Sequence, residues 1–97
     1  KNYDKARFYF IRSIKDDNGN LQSKTMLMRL EELTKHYSTA IVYCNELLEA
    51  APYDFTLWKK KIELHRLDGN TVEATRLLQR LAEIYPDRGE EGDGVGL

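Results

Sequence analysis

The 97-residue chain is poor in the residue types that build cross-linked or membrane-embedded proteins. It has one cysteine and two prolines, and no apolar run approaches the roughly 20 residues of a membrane-spanning helix. A single cysteine cannot form an internal disulfide, which favours a reducing compartment. The formal net charge is −1, so the basic excess typical of proteins that bind nucleic acid is missing. We therefore expect a cytoplasmic protein that neither inserts into membranes nor binds nucleic acid, and a nuclear location stays open.

Patterns typical of catalytic and metal sites are also missing. The two histidines, His36 and His65, and the single cysteine, Cys44, are too few for a zinc site. The adjacent acids Glu31 and Glu32 point to different sides of a helix, so they do not form an acid–base pair. The glycines near the end of the chain precede no helix and do not form a phosphate loop. We expect no enzyme activity and no cofactor, and we expect Cys44 to be a buried packing residue.

Small and apolar residues recur at a constant spacing of about 34 residues, a repeat period typical of helical arrays. At this period, Ala6, Ala40 and Ala74 form one column, and Pro52 and Pro86 form another. Each alanine lies early in a segment whose apolar residues recur every three or four positions, as in an amphipathic helix. This pattern predicts helices over 3–16, 21–35, 38–50, 54–68 and 71–84. No segment alternates as a strand does, so the predicted fold class is all-α.

Residues at the predicted helix ends fit this interpretation. Ser38 and Thr71 are predicted N-caps, because their side-chain oxygens can accept hydrogen bonds from free backbone amides. Gly69 suits the left-handed position that follows a helix. Pro52 and Pro86 lack an amide hydrogen and stop the helices before them.

A 34-residue helix–turn–helix unit with a small residue early in its second helix and a proline at its end resembles the tetratricopeptide repeat (TPR). Trp58, Gly69, Ala74 and Pro86 match its positions, whereas Glu31 and His65 stand where an aromatic residue is usual. The resemblance implies a TPR-like antiparallel helix-pair solenoid of about two and a half repeats over residues 1–86, as a piece of a longer array. Residues 87–97 are glycine-rich and acidic, and we expect them to be a disordered tail.

Four segments suggest a narrower likeness, 28–31 with 36–41 and 59–64 with 69–74. They resemble the family of subunit 2 of the ER membrane protein complex, a cytosolic TPR scaffold in an assembly that inserts membrane proteins. The resemblance implies a subunit of a multiprotein complex at the cytosolic face of the ER membrane. The glycine-rich end departs from that family, because a further helical repeat would be expected there.

In a TPR stack the first helix of each pair lines the concave side, where partners usually bind. The register predicts eight residues on this side, and Lys60 lies next to them. The nine predicted residues are Gln22, Thr25, Arg29, Glu32, Thr56, Lys59, Lys60, Glu63 and Arg66. The functional interpretation is a protein–protein interaction scaffold whose groove, mixed in charge with a slight basic excess, binds a peptide or helix of a protein partner. The alternative is a solvated surface, because Glu63 is spaced for local ion pairs with Lys59 and Arg66.

Two other functions stay open. One is a helical-repeat RNA-binding or RNA-processing factor, although equivalent positions of the two repeats do not carry matched polar residues. The other is a non-catalytic helical subunit of an enzyme.

The first and last predicted helices carry more apolar residues than one neighbouring helix covers, as at Phe8, Tyr9 and Leu78. We therefore expect further repeats of the same chain, or another subunit, to cover both ends.

Overall fold

A computed structural model of the chain describes residues 2–86, which form five α-helices in sequence. The helices are α1 (Tyr3–Asp16), α2 (Leu21–Leu33), α3 (Tyr37–Ala50), α4 (Phe55–Leu67) and α5 (Thr71–Ile84). Each helix packs antiparallel against the next one in the chain, from α1 on α2 to α4 on α5. Residues 2–86 contain no strand. The predicted all-α class is confirmed, and the helix bounds lie close to the predicted ones. The predicted tail, 87–97, lies outside the described residues.

The backbone itself repeats at the period of the sequence pattern. Helices α1, α3 and α5 each have 14 residues and start one repeat period apart, and α2 and α4 each have 13 residues and are separated by the same period. The turns before α2 and α4 close through equivalent hydrogen bonds, from the Asn20 amide to the Asp17 carbonyl and from the Asp54 amide to the Ala51 carbonyl. The five helices therefore share one common period, which is consistent with an array of helix pairs.

The turns after α2 and α4 also match. After α2, the His36 amide donates to the Glu31 carbonyl at 2.7 Å. After α4, the Asn70 amide donates to the His65 carbonyl at 2.9 Å, and both bonds are those of a Schellman motif. Gly69 takes the predicted left-handed conformation, with φ of 84°, so this prediction is confirmed. The equivalent Lys35 takes the same conformation, with φ of 65°, although its Cβ makes that conformation unfavourable.

The predicted N-caps Ser38 and Thr71 are wrong. Helix α5 is capped one position earlier by Asn70, whose Oδ1 accepts from the Glu73 amide, so Thr71 lies within the helix. Helix α3 follows His36, which makes no side-chain capping bond, and Ser38 lies in the first turn. Asparagine favours the cap because its short side chain satisfies a free amide while its backbone stays outside the helical conformation.

The core lies in the middle of the array, where α3 packs between α2 and α4. It contains Met28, Ala40, Ile41, Cys44, Leu47, Leu48 and Leu64, with Tyr37, Tyr43, Leu57 and Trp58 packed against it. Ala40 and Ala74 are both buried, as the register requires. Cys44 is buried as predicted, but the equivalent Leu78 is 48% exposed. Among the described residues, α3 has a neighbouring helix on each side whereas α5 has only α4, and this explains the difference.

The outer helices expose apolar side chains at both ends of the array. Helix α1 buries none of its residues, and Phe8 and Tyr9 are each about two-thirds exposed. On α5, Leu77 and Leu81 are buried, whereas Leu78 and Ile84 are exposed. The apolar residues predicted to exceed the cover of one neighbouring helix are thus exposed within residues 2–86.

Candidate interaction face of α2 and α4

None of the nine residues predicted on the concave side is buried. Gln22, Arg29, Thr56, Lys59 and Arg66 are exposed, and Thr25, Glu32, Lys60 and Glu63 are partly exposed. By register, these residues share one side of α2 and α4, which we call the α2–α4 face. This side is accessible to a partner in the described part of the chain.

A groove of about 510 Å³ lies on this face, in the size range of ligand-binding clefts. Its lining residues are Arg29, Glu32, Leu33, Lys35, Tyr37, Lys60 and Leu67. Three of the nine predicted residues thus line the groove, namely Arg29, Glu32 and Lys60. The other six, Gln22, Thr25, Thr56, Lys59, Glu63 and Arg66, lie outside it.

Sequence reasoning missed the apolar part of the groove. Leu33 and Leu67 lie one repeat period apart at the ends of α2 and α4, and their exposed fractions are 65% and 43%. A leucine repeated at the period of the array was a signal in the sequence that could have found this groove. Tyr37 and Lys35 lie beyond the end of α2, so only the folded turn brings them here.

An ion pair crosses the groove and sets its charge. Lys60 of α4 places its Nζ 2.9 Å from the Oε1 of Glu32 of α2. This pair neutralises the one acid among the lining residues. The side chains of Arg29 and Lys35 make no ion pair or hydrogen bond within residues 2–86. The groove therefore combines exposed leucines with a net positive charge.

Residues outside the groove mostly interact within their own helix. Of the two local ion pairs predicted for Glu63, the one with Arg66 forms. Lys59 instead places its Nζ 5.5 Å from the centre of the Phe55 ring. Thr25 donates its hydroxyl to the Leu21 carbonyl at 2.9 Å. The solvated-surface alternative therefore describes this part of the face better than it describes the groove.

A buried carboxylate that the sequence did not reveal ties α2 to α1. Glu31, 4% exposed, accepts hydrogen bonds from the Nε and Nη2 of Arg7 on α1, at 3.0 and 3.1 Å. The Nδ1 of His36 lies 3.1 Å from its Oε1. Burial raises the pKa of Glu31, but the hydrogen bonds and charges of Arg7 and then His36 outweigh it, so the pKa lies below its ordinary value. Glu31 is thus a charged tie between the two helices.

The geometry offers no reactive thiol at Cys44. Burial raises the pKa of this thiol to about 11, and the neighbouring lysines only partly oppose the shift. The thiol therefore stays protonated near neutral pH, and its Sγ lies 3.4 Å from the Leu57 carbonyl, to which it donates. In the described part of the chain, no group of three or more His, Cys, Asp or Glu side chains is placed to hold a metal ion.

Comparison with known proteins identifies no relative. No protein-family model matches the chain, and neither curated proteins nor solved structures show a significant similarity to it. Among the helices of residues 2–86, none combines the length and the apolar character that crossing a membrane requires. The class that the fold defines is an array of sequentially packed antiparallel helices, consistent with helix pairs.

Proposed function

We propose that this chain is a TPR-like module that binds a protein partner in the groove of the α2–α4 face. In this proposal it is a scaffold subunit of a multiprotein complex, without catalytic activity of its own. The observation that carries the proposal is the groove, where exposed Leu33 and Leu67 lie beside the unpaired cations Arg29 and Lys35. Exposed leucines repeated on one accessible face are typical of surfaces that bind other proteins.

The shape and charge of the groove favour an acidic amphipathic segment as the partner. The two leucines offer apolar surface at equivalent positions of α2 and α4, which suits the apolar face of a docked helix. Because Lys60 neutralises Glu32, no unpaired acid of the groove opposes acids of the partner. Arg29 and Lys35 would then pair with those acids and fix the orientation of the segment.

The narrower assignments rest on the sequence. The common period of helices and turns supports the TPR interpretation, since it equals the length of that repeat. The likeness to the family of subunit 2 of the ER membrane protein complex is carried by four short segments. On that basis we propose the cytosolic face of the ER membrane as the place where this scaffold acts.

Affinity capture with matched variants tests the proposal. We expect the chain to retain one or more proteins from a cell extract, and the double variant Arg29→Glu with Lys35→Glu to retain at least tenfold less of them. The control is Arg12→Glu, at an exposed arginine of α1 outside the groove. Circular dichroism should show equal helix content in all three proteins.

Nuclease treatment separates protein binding from the RNA-binding alternative. If the captured proteins persist after RNase and depend on Arg29 and Lys35, the proposal stands. If capture is lost after RNase, or if both variants retain the same proteins as the native chain, the groove is not the protein-binding site.

A further inference from the structure

A second groove, of about 400 Å³, lies between the α3–α4 turn and helix α5. Trp58, Leu77 and Ile84 form its apolar part, and Tyr53, Arg76 and Arg80 are its aromatic and charged lining. It shares no lining residue with the groove of the α2–α4 face. An inference drawn from it is therefore independent of the function proposed above.

Hydrogen bonds hold the two sides of this second groove in place. Trp58 donates its Nε1 proton to the Pro52 carbonyl at 2.8 Å, which fixes the indole against the turn. The hydroxyl of Tyr85, just after α5, donates to the Tyr53 carbonyl. The Tyr85 ring also meets the Phe55 ring edge-on, at 5.4 Å between centres. A groove whose walls are already positioned loses little conformational freedom when a ligand binds.

Cations surround the apolar surface of the groove. The Arg80 side chain has no ion pair or hydrogen bond within residues 2–86. Arg76 pairs with Glu73 through its Nε and Nη2, at 3.1 and 2.6 Å, so its Nη1 is not used in that pair. Lys61 places its Nζ 5.2 Å from the centre of the Trp58 ring. Glu73 is neutralised by Arg76, and the local excess is positive.

We propose that this second groove binds a short acidic peptide segment of a partner protein, with an aromatic or aliphatic side chain between the acids. The apolar side chain would lie on Trp58, Leu77 and Ile84, and the acids would pair with Arg80 and with the free edge of Arg76. Guanidinium groups suit this role because they bind carboxylates in a planar, directional geometry. Tyr53, a lining residue that is 75% exposed, supplies further aromatic surface for the peptide.

Trp58 is the only tryptophan of the chain, so its fluorescence reports directly on this groove. The probe is the heptapeptide Glu-Asp-Phe-Glu-Leu-Asp-Glu, acetylated at its N-terminus and amidated at its C-terminus, titrated into the full chain at low salt. We expect a saturable change in Trp58 emission with a Kd on the order of 0.1–1 mM. Its uncharged counterpart, Gln-Asn-Phe-Gln-Leu-Asn-Gln, should bind at least tenfold more weakly.

Variants locate the binding. Arg80→Glu should weaken binding of the acidic probe at least tenfold, whereas Arg29→Glu, in the other groove, should leave it unchanged. No saturable Trp58 signal up to several millimolar probe, or equal binding by the Arg80→Glu variant, would overturn the proposal.

The acidic residues that follow Pro86 are a competing occupant, which a third variant tests. Glu90→Gln, Glu91→Gln and Asp93→Asn together remove three of its charges. If this variant changes Trp58 emission in the absence of the probe, and the probe does not bind to the variant, the groove is occupied by the chain's own end and the partner proposal is wrong. If the probe binds the native chain and the variant alike, the proposal holds.

Discussion

Helices α2 and α4 have the same length and the same end geometry, yet different side chains occupy one equivalent inner position. That position is Glu31 in α2 and His65 in α4, one repeat period apart. Glu31 is buried and engaged by Arg7 and His36. The Nδ1 of His65 is buried without a hydrogen-bond partner in the described residues. The residue one period after Arg7 is Ile41, which has no side-chain donor to offer.

The difference teaches that the helix array does not depend on one kind of contact at this position. Helices α1 and α2 are tied by a charged cluster, whereas α3 and α4 pack together through Cys44, Leu64 and the Trp58 ring. Helices α3 and α5, which follow α2 and α4, each carry a buried alanine early in the helix and follow equivalent turns. The turns and the buried alanines thus repeat along the array, whereas the inner side chains stabilise α1–α2 and α3–α4 in different ways.

The largest effect on stability should come from a cavity between helices α3 and α4, which pack through apolar side chains. Leu64, fully buried, lies in the core where α4 packs on α3, and Leu64→Ala should lower the free energy of unfolding by about 2–5 kcal/mol. Leu67→Ala, on the same helix but 43% exposed, is the matched control and should change stability by about 0.5 kcal/mol or less. Urea titration followed by circular dichroism measures both. Equal losses for the two variants would contradict the assigned core.

The charged contact between α1 and α2 is tested by Glu31→Gln. This change should lower the free energy of unfolding by about 1–3 kcal/mol at neutral pH, because Arg7 then lacks its buried counter-charge. Since folding lowers the pKa of Glu31, its contribution is complete above the ordinary value of 4.5 and is lost as the pH falls through the folded value. The gap between native and variant chains should therefore shrink as the pH falls below about 4.5. A gap that does not shrink below that pH would be inconsistent with a charged tie.

A phenylalanine at the inner position should stabilise α4, at His65, although it would destabilise α2, at Glu31. His65→Phe removes the unsatisfied Nδ1 and adds an apolar ring where the TPR pattern usually has an aromatic residue. We therefore expect the free energy of unfolding to rise by about 1–2 kcal/mol. Thermal melts of the two chains at neutral pH measure it. A lower melting temperature for the variant would contradict this expectation.

The smallest expected effect concerns the two left-handed turn residues. Gly69 has no atom within 4 Å of the position of an added Cβ, so Gly69→Ala should cost about 1 kcal/mol from backbone strain alone. Lys35→Gly, at the equivalent turn, should be neutral or slightly stabilising, because strain relief offsets the extra freedom of the unfolded glycine. The different responses of the two positions would be read from the urea midpoints. A loss at Lys35 equal to that at Gly69 would mean that the turns are not equivalent.

The periodic part of the fold was predictable from the sequence. The alanine column, the helix periodicity and Gly69 predict all five helices of the described chain, since each signal depends on residues close in the chain. The two mistaken N-caps show the limit of such local signals. Ser38 and Thr71 are good capping residues, but the caps lie earlier in the chain, at His36 and Asn70.

The candidate site was less predictable because it depends on contacts between helices. The register gave an accessible side of α2 and α4, but the groove formed only where Glu32 meets Lys60 and the turn brings in Lys35 and Tyr37. In the same way, the partner of Glu31 lies 24 residues away on α1, at a distance that no helix periodicity covers.

The account depends most on the claim that a partner lies on the α2–α4 face, and site-specific photo-crosslinking tests it most directly. A benzophenone amino acid would replace Leu33, an exposed leucine of the groove, or Val42, an exposed apolar residue of α3 outside it. We predict a defined protein adduct from Leu33 and none from Val42, with the Leu33 adduct lost when Arg29→Glu and Lys35→Glu are added. Adducts at Val42 with none at Leu33 would contradict the account.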